Sequence, residues 1–265
     1  MDFKSEITEL LLYDNCPSGY FEALKNTDDF PFNFPELYKL IALKQNPKYH
    51  AEGDVWNHTM LVLDAAVKFR NKAKNPLSFM LSALCHDFGK AVCTEEINGI
   101  IHSYGHKSKG LCIIEDFLYR LDFSKETVDE VLNLCLLHMK PNTIAANNSS
   151  VKSSNKMFSE AFDPVALIYL ATADSMGQLP KPDTEKNLEF LFQRLDIFTD
   201  IMSSDFFTED ELIKAGVPEG KILEESYEYS KKLRLSCVKK DDNFKQTLSY
   251  ARKLQKKLIN NPKIK

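Results

Sequence analysis

Residues Ser78 to Lys90 read SFMLSALCHDFGK, an apolar run that ends in His86, Asp87 and a lysine. Pro76 stands two residues upstream, where a fixed φ and a missing N–H suit the first turn of a helix. The pattern predicts a helix over 77–86, with Gly89 as its stop. All eight residues from Ser78 to Cys85 are apolar or small enough to be enclosed on every side, and such a helix belongs in an interior. A carboxylate at its end then needs a partner, because taking that charge out of water costs several kcal/mol. This stretch therefore predicts a buried helix that delivers an imidazole and a carboxylate to an enclosed polar site.

The sequence on both sides is helical as well. Leu37, Leu40 and Ile41 recur at helical spacing, and so do Met60, Leu61, Leu63 and Val67. Further helices are expected at 108–121, 125–139, 163–176, 184–202, 209–215, 219–235 and 243–259. No convincing run of alternating β-branched residues occurs, so the fold class is all-α. Loops are expected at 26–34, 47–54, 91–107, 140–156 and 177–183. The polar stretch NNSSVKSSN, 147–155, follows His138 and has the composition of a mobile lid or a plain loop. The domain reading is a helical lead-in over 1–45, a catalytic helical bundle over 46–205, and a helical C-terminal extension over 206–265.

Apolar residues make up 43% of the 265 and charged residues 27%, the balance of a globular protein. No run of about 18 uncharged apolar residues exists, which argues against a membrane span. The acidic, amphipathic start MDFKSEITEL lacks the basic opening of a secretory signal, so a cytoplasmic location is expected. None of the six cysteines forms a C-x-x-C pair. Most lie in apolar helical runs, which predicts buried reduced thiols. Charge is uneven: residues 231–265 hold 12 Lys+Arg against 2 Asp+Glu, while the remainder holds 22 against 36. A basic tail on an acidic body is either an electrostatic footprint for nucleic acid or a solvated helix face.

The chemistry rests on six histidines. His58 lies early in one apolar helix, His86 and Asp87 end a second, and Asp174 ends a third in ALIYLATADSMG. Two imidazoles and two carboxylates form a ligand set for a divalent ion with positions left for water or phosphate oxygens. Taken singly, each residue reads as a core histidine or a capping aspartate. As a set, on separate helices in the order His, His-Asp, Asp, they resemble the HD superfamily of metal-dependent phosphohydrolases.

The resemblance extends to the HD half of the multifunctional bacterial CCA-adding tRNA nucleotidyltransferases. It is carried by His50-Ala-Glu-Gly-Asp-Val-Trp-Asn-His58-Thr59, by CHDFGKA (Cys85–Ala91), and by SYGHKSKG (Ser103–Gly110), where Lys107 replaces an acid of the family pattern. LLHMKP (Leu136–Pro141) and ATADSMG (Ala171–Gly177) continue it, and a weaker likeness runs through TEDELIKAGVPEGKILEE (Thr208–Glu225). The nucleotidyltransferase half of those enzymes has no counterpart in the sequence, so CCA addition is not implied.

The resemblance implies hydrolysis of a phosphate ester, of a nucleotide or an RNA end, by 2′,3′-cyclic phosphodiesterase, 2′-nucleotidase or phosphatase chemistry. It implies His58, His86, Asp87 and Asp174 as ligands of Mn, Fe, Co, Ni, Zn or Mg. His106 and His138 fall where binuclear members supply a second metal, or else they act on the substrate. Asp87, Lys90, His106 and His138 are the catalytic candidates. For Lys90 a phosphate contact competes with a plain helix-terminal role. His102 is expected on a loop surface and His50 in a structural role. The rival reading is a catalytically silent module that binds tRNA or another RNA through the basic C-terminal helices. Neither reading specifies the oligomeric state.

Overall fold

The computed structural model describes residues 3–180, 183–204 and 206–260. Met1 and Asp2 of the lead-in, residues 181 and 182 of the loop expected at 177–183, and the last five residues of the basic tail lie outside these. The chain divides into two compact units. The first runs to Asn148 and resumes over Ser159–Phe192; the second holds Ser149–Phe158 and the chain from Gln193 onward.

The first unit opens with α1 (Phe3–Tyr13), α2 (Ser18–Leu24), α3 (Phe30–Asn33) and α4 (Pro35–Tyr38). The site is built by α5 (Val55–Ala66), α6 (Pro76–Cys85), α10 (Lys125–Leu137) and α13 (Pro164–Met176), which pack on one another. Between α6 and α10 come α7 (Lys90–Cys93), strands β1 (Glu95–Ile97) and β2 (Ile100–His102), α8 (His106–Lys109) and α9 (Leu111–Arg120); α11 (Met139–Ala146) follows α10. As expected for an all-α chain, the only sheet among the described residues is the β1–β2 hairpin.

Local chemistry sets these helices. Asp54 caps α5 by accepting from Asn57 N at 2.8 Å. Asn75 caps α6 with Pro76 in the first turn, and Asp163 caps α13 by accepting from Val165 N and Ala166 N. Every residue of α6 from Ser78 to Cys85 is buried, so it forms the axis of the core. The helices packed on it, α5, α10 and α13, contribute the buried residues Val55, Trp56, Leu63, Val131, Leu167 and Leu170. Trp56 Nε1 finds its acceptor in Glu22 of α2.

Five expectations need correction, the first being the loop at 26–34, which holds the short helix α3. Gly89 does not stop the helix: α6 ends at Cys85, and Gly89 keeps right-handed helical angles before α7. Its task is closeness, since a Cβ there would stand 1.9 Å from the His106 carbonyl oxygen. The 91–107 loop contains the hairpin, whose Asn98-Gly99 turn has φ of 52° and 77°. That is the two-residue turn that matches strand twist, and Asn-Gly is its sequence signal. The 140–156 loop is mostly helix, α11 and then α12 (Val151–Glu160), so the polar stretch is no open lid. Burial of Met157 and Phe158 outweighs the weak helix propensity of the Ser and Asn residues before them. Finally, only Cys85 and Cys135 are buried. Cys93 is half-buried, and Cys16, Cys112 and Cys237 are exposed.

The second unit also holds α15 (Glu209–Lys214), α16 (Lys221–Leu235) and α17 (Lys240–Asn260), while α14 (Glu185–Ser203) spans the division. Thr208 and Glu211 form a capping box at the start of α15. Phe207, Leu212, Val217, Leu223 and Ala251 form a separate core, and Tyr229 stacks on Tyr250 between α16 and α17 at 4.3 Å. No helix among the described residues is long and apolar enough to cross a membrane.

Two outcomes follow from this packing. Native protein treated with a thiol reagent should label Cys16, Cys112 and Cys237 quickly. Cys85 and Cys135, whose thiol pKa values burial pushes up, should react only after denaturation. Gly89→Ala should lose about 3 kcal/mol of stability in urea unfolding, an overpacking cost set by backbone that has nowhere to move.

Candidate metal centre

Five of the six histidines form one row. Ring centroids run His50–His58 at 5.0 Å, His58–His86 at 5.5 Å, His86–His138 at 5.3 Å and His138–His106 at 5.5 Å. His58 comes from the first turn of α5, His86 from the residue after α6, His138 from the residue after α10, and His106 from the start of α8. Asp87 and Asp174, in the last turn of α13, lie against the row, and all six of these site residues are at least nine-tenths buried. The site residues expected from sequence are therefore together in space.

Three of the five imidazoles are oriented by backbone. Nδ1 of His86 lies 2.9 Å from Ala83 O, Nδ1 of His106 lies 2.9 Å from Ser103 O, and Nδ1 of His138 lies 2.6 Å from Cys135 O. A carbonyl only accepts, so each Nδ1 carries the proton and each Nε2 presents a lone pair. His58 differs: its Nδ1 faces the Glu52 carboxylate at 3.1 Å, and Nε2 is hydrogen-bonded to Asp174 Oδ1 at 3.1 Å.

Asp87 sits between two groups of potential ligands. His58, His86 and Asp174 bring three donor atoms within 4.8 Å of one another, and Asp87, His106 and His138 do the same. Oδ2 of Asp87 is 3.3 Å from His86 Nε2 and 3.7 Å from His58 Nε2, while Oδ1 is 3.5 Å from His106 Nε2. Nε2 of His86 and of His106 are buried with no hydrogen bond. Buried, unpaired lone pairs converging on carboxylates are costly unless a cation sits among them, so the donor set fits a divalent metal.

Electrostatics agree. Burial alone would raise the Asp87 pKa, but Lys90 and His86 hold it well below the usual carboxylate range. Asp174 is held low against the same burial by its hydrogen bond from His58. Burial opposes a charged His58, yet its hydrogen bond to Asp174 and the Glu52 carboxylate beside it raise its pKa to about 9. Burial, with His86 nearby, brings His138 down to about 4, which leaves it neutral. A cation entering the site competes with the His58 proton.

Lys90 is buried. Its Nζ donates to Gln45 Oε1 at 2.6 Å and pairs with Asp87 Oδ2 at 2.7 Å, so it belongs to the site and is not a solvated helix-terminal lysine. Above this floor opens a cavity of about 360 Å³, with Tyr49, His102, Tyr104 and Lys107 in its lining. His102 lies on β2, stacked on Tyr104.

Sequence reasoning missed Glu52. Its side chain is almost fully buried; Oε1 is 2.7 Å from His50 Nδ1 as well as 3.1 Å from His58 Nδ1, and Oε2 accepts from Leu179 N at 2.9 Å. Leu179 O accepts in turn from Ala51 N. One acid thus aims a ligand and fastens the segment after α13 to the segment before α5. A carboxylate six residues before His58 in a run of loop residues was the available signal.

The family model described as HD domain matches residues 55–179, so an HD domain is found over that segment. Among curated proteins, the chain resembles the Multifunctional CCA protein of Mannheimia succiniciproducens (37% identical over 115 residues) and that of Actinobacillus pleuropneumoniae serotype 5b (34% over 113 residues); each match covers 43% of this chain and 27% of the relative. The Acinetobacter baumannii protein of that name is 29% identical over 133 residues, covering 50% of this chain and 31% of its own length. The chain thus spans about a third or less of these relatives.

Glu52→Gln should weaken divalent-metal affinity about 10- to 100-fold, the range for losing a partner that orients a ligand, while helix content stays unchanged. Competition titration against a chromogenic chelator, with circular dichroism alongside, measures both.

Proposed function

We propose that the protein is a metal-dependent phosphohydrolase acting on a phosphate ester of a nucleotide or an RNA end, by phosphatase, 2′-nucleotidase or 2′,3′-cyclic phosphodiesterase chemistry. The observation that carries this reading is the pair of ligand groups meeting on Asp87 with Lys90 beside it. The likeness to proteins named Multifunctional CCA protein supports the nucleotide or RNA choice.

His58, His86, Asp87 and Asp174 are the residues that would hold a metal, and His106 and His138 with Asp87 offer a second place. A divalent ion held there would supply Lewis acidity toward water and the phosphoryl group. In the overall reaction the water oxygen bonds to phosphorus, the ester P–O bond breaks, and the leaving oxygen takes up a proton. Lys90 brings a positive charge to the phosphate oxygens as their charge builds. Asp87 and Asp174, kept ionised, accept hydrogen bonds from the attacking water and orient it. His106 offers Nε2 for carrying a proton to the leaving oxygen, while His138, kept neutral by burial, offers a lone pair to the second metal place or to a substrate hydroxyl.

A second reading, recognition of tRNA or another RNA by the C-terminal helices, has an observation in its favour: Lys245, Arg252, Lys253, Lys256 and Lys257 are all exposed on α17. As a catalytically silent module it is the rival of the first.

The deciding measurement is metal analysis of the purified protein with phosphatase and 2′,3′-cyclic nucleotide assays, across added divalent ions, for wild type and Asp87→Ala. Bound metal and turnover that falls about a thousandfold or more in Asp87→Ala are expected. Wild type that binds no metal and stays silent with every ion would overturn the hydrolase reading. RNA affinity that falls steeply with salt would then leave the binding module standing.

A further inference from the structure

We propose that Tyr104, backed by His102, is the specificity-determining residue of the cavity and selects substrates by stacking on a planar base. The inference rests on the phosphohydrolase reading and concerns the part of the substrate that does not react.

Large apolar side chains exposed to water are scattered over the surface, but Tyr49, Tyr104 and Met139 line one cavity, the one whose floor is Asp87, Lys90, His106, His138 and Asp174. Its volume of about 360 Å³ is that of a pocket for a small organic molecule, larger than a phosphate group requires. The reacting end of a ligand belongs on the charged floor, which leaves the rest of it beside the aromatic rings.

Tyr104 is the ring best prepared to receive it. His102 covers one face, with centroids 4.7 Å apart and planes 14° from parallel. Tyr104 is nevertheless 64% exposed, so the opposite face is open. The platform is held firmly. His102 is paired with Glu95 across the hairpin, and Ser103 Oγ is 2.8 Å from Thr94 Oγ1, which donates to Lys90 O at 2.8 Å. Tyr104 is two residues from His106 across Gly105, whose φ of 77° turns the chain sharply. A ligand with its phosphate at His106 and a flat ring one short linker away meets both. Tyr49 is less suited, because Lys48 Nζ already lies 5.3 Å from its ring centroid. Lys107 in the same lining adds a positive charge suited to an anionic ligand.

Calorimetric titration of the full chain as purified, with adenosine 5′-monophosphate and with ribose 5-phosphate, tests this. Base stacking on an aromatic side chain predicts that wild type binds adenosine monophosphate about 5-fold to 150-fold more tightly than ribose phosphate. Tyr104→Ala should abolish that preference and leave ribose phosphate binding unchanged, and Tyr104→Phe should retain it. Equal binding of the two ligands by wild type, binding of neither, or an equal loss of both in Tyr104→Ala would overturn the proposal. Turnover of bis(p-nitrophenyl) phosphate, measured separately, reports on the hydrolase reading. Protein that hydrolyses it without base preference keeps that reading and loses this one; protein that binds through Tyr104 without turnover does the reverse.

Discussion

A carboxylate shut away from water must be compensated, and the Asp87 side chain is only 3% exposed. Much of the first unit can be read as the means of compensating it. Lys90 reaches it from the next turn, and His86, His58 and His106 bring ring nitrogens within 3.7 Å. Those groups arrive from α5, α6, α7 and α8, so the charge balance and the mutual packing of these helices are one problem. An unpaired Asp87 would cost several kcal/mol, a large share of a typical domain's net stability. The arrangement persists because each partner is held by packing that has other reasons to exist.

Close backbone approach is the second requirement. Gly89 lets α7 lie against His106, and Gly177, where a Cβ would stand 2.4 Å from Val62 Cγ2, lets the end of α13 lie against α5. Each brings one of the site's acids or imidazoles toward its neighbours. Neither glycine has a left-handed φ, so their value is the missing side chain.

Much of this was legible in the sequence. The helical periodicity gave the all-α class, and the buried positions of His58, His86, Asp87 and Asp174 followed from ionisable residues placed in apolar helices. Less legible were features that depend on what meets what. Gly89 looks like a helix terminator in one dimension, because a stop and a close contact use the same residue. Glu52 looks like loop polarity until the fold brings Leu179 to it. The hairpin was legible in Asn98-Gly99 but hidden by strands of three residues, too short for alternation to show. The helix over Val151–Glu160 is dictated by burial of Met157 and Phe158 and not by the local preference of Ser153, Ser154 and Asn155.

The hydrogen bonds that aim the imidazoles have a consequence for inheritance. His86, His106 and His138 each donate to a carbonyl three residues back, two of them at the end of a helix where such carbonyls lack helical partners. A main-chain acceptor is present whatever amino acid occupies that position, so none of these three hydrogen bonds depends on the side chain of Ala83, Ser103 or Cys135. The orientation of three imidazoles is therefore written in the path of the chain and is robust to mutation. His50 and His58 depend instead on one side chain, Glu52, for their aim, and the vulnerability of the row is concentrated there.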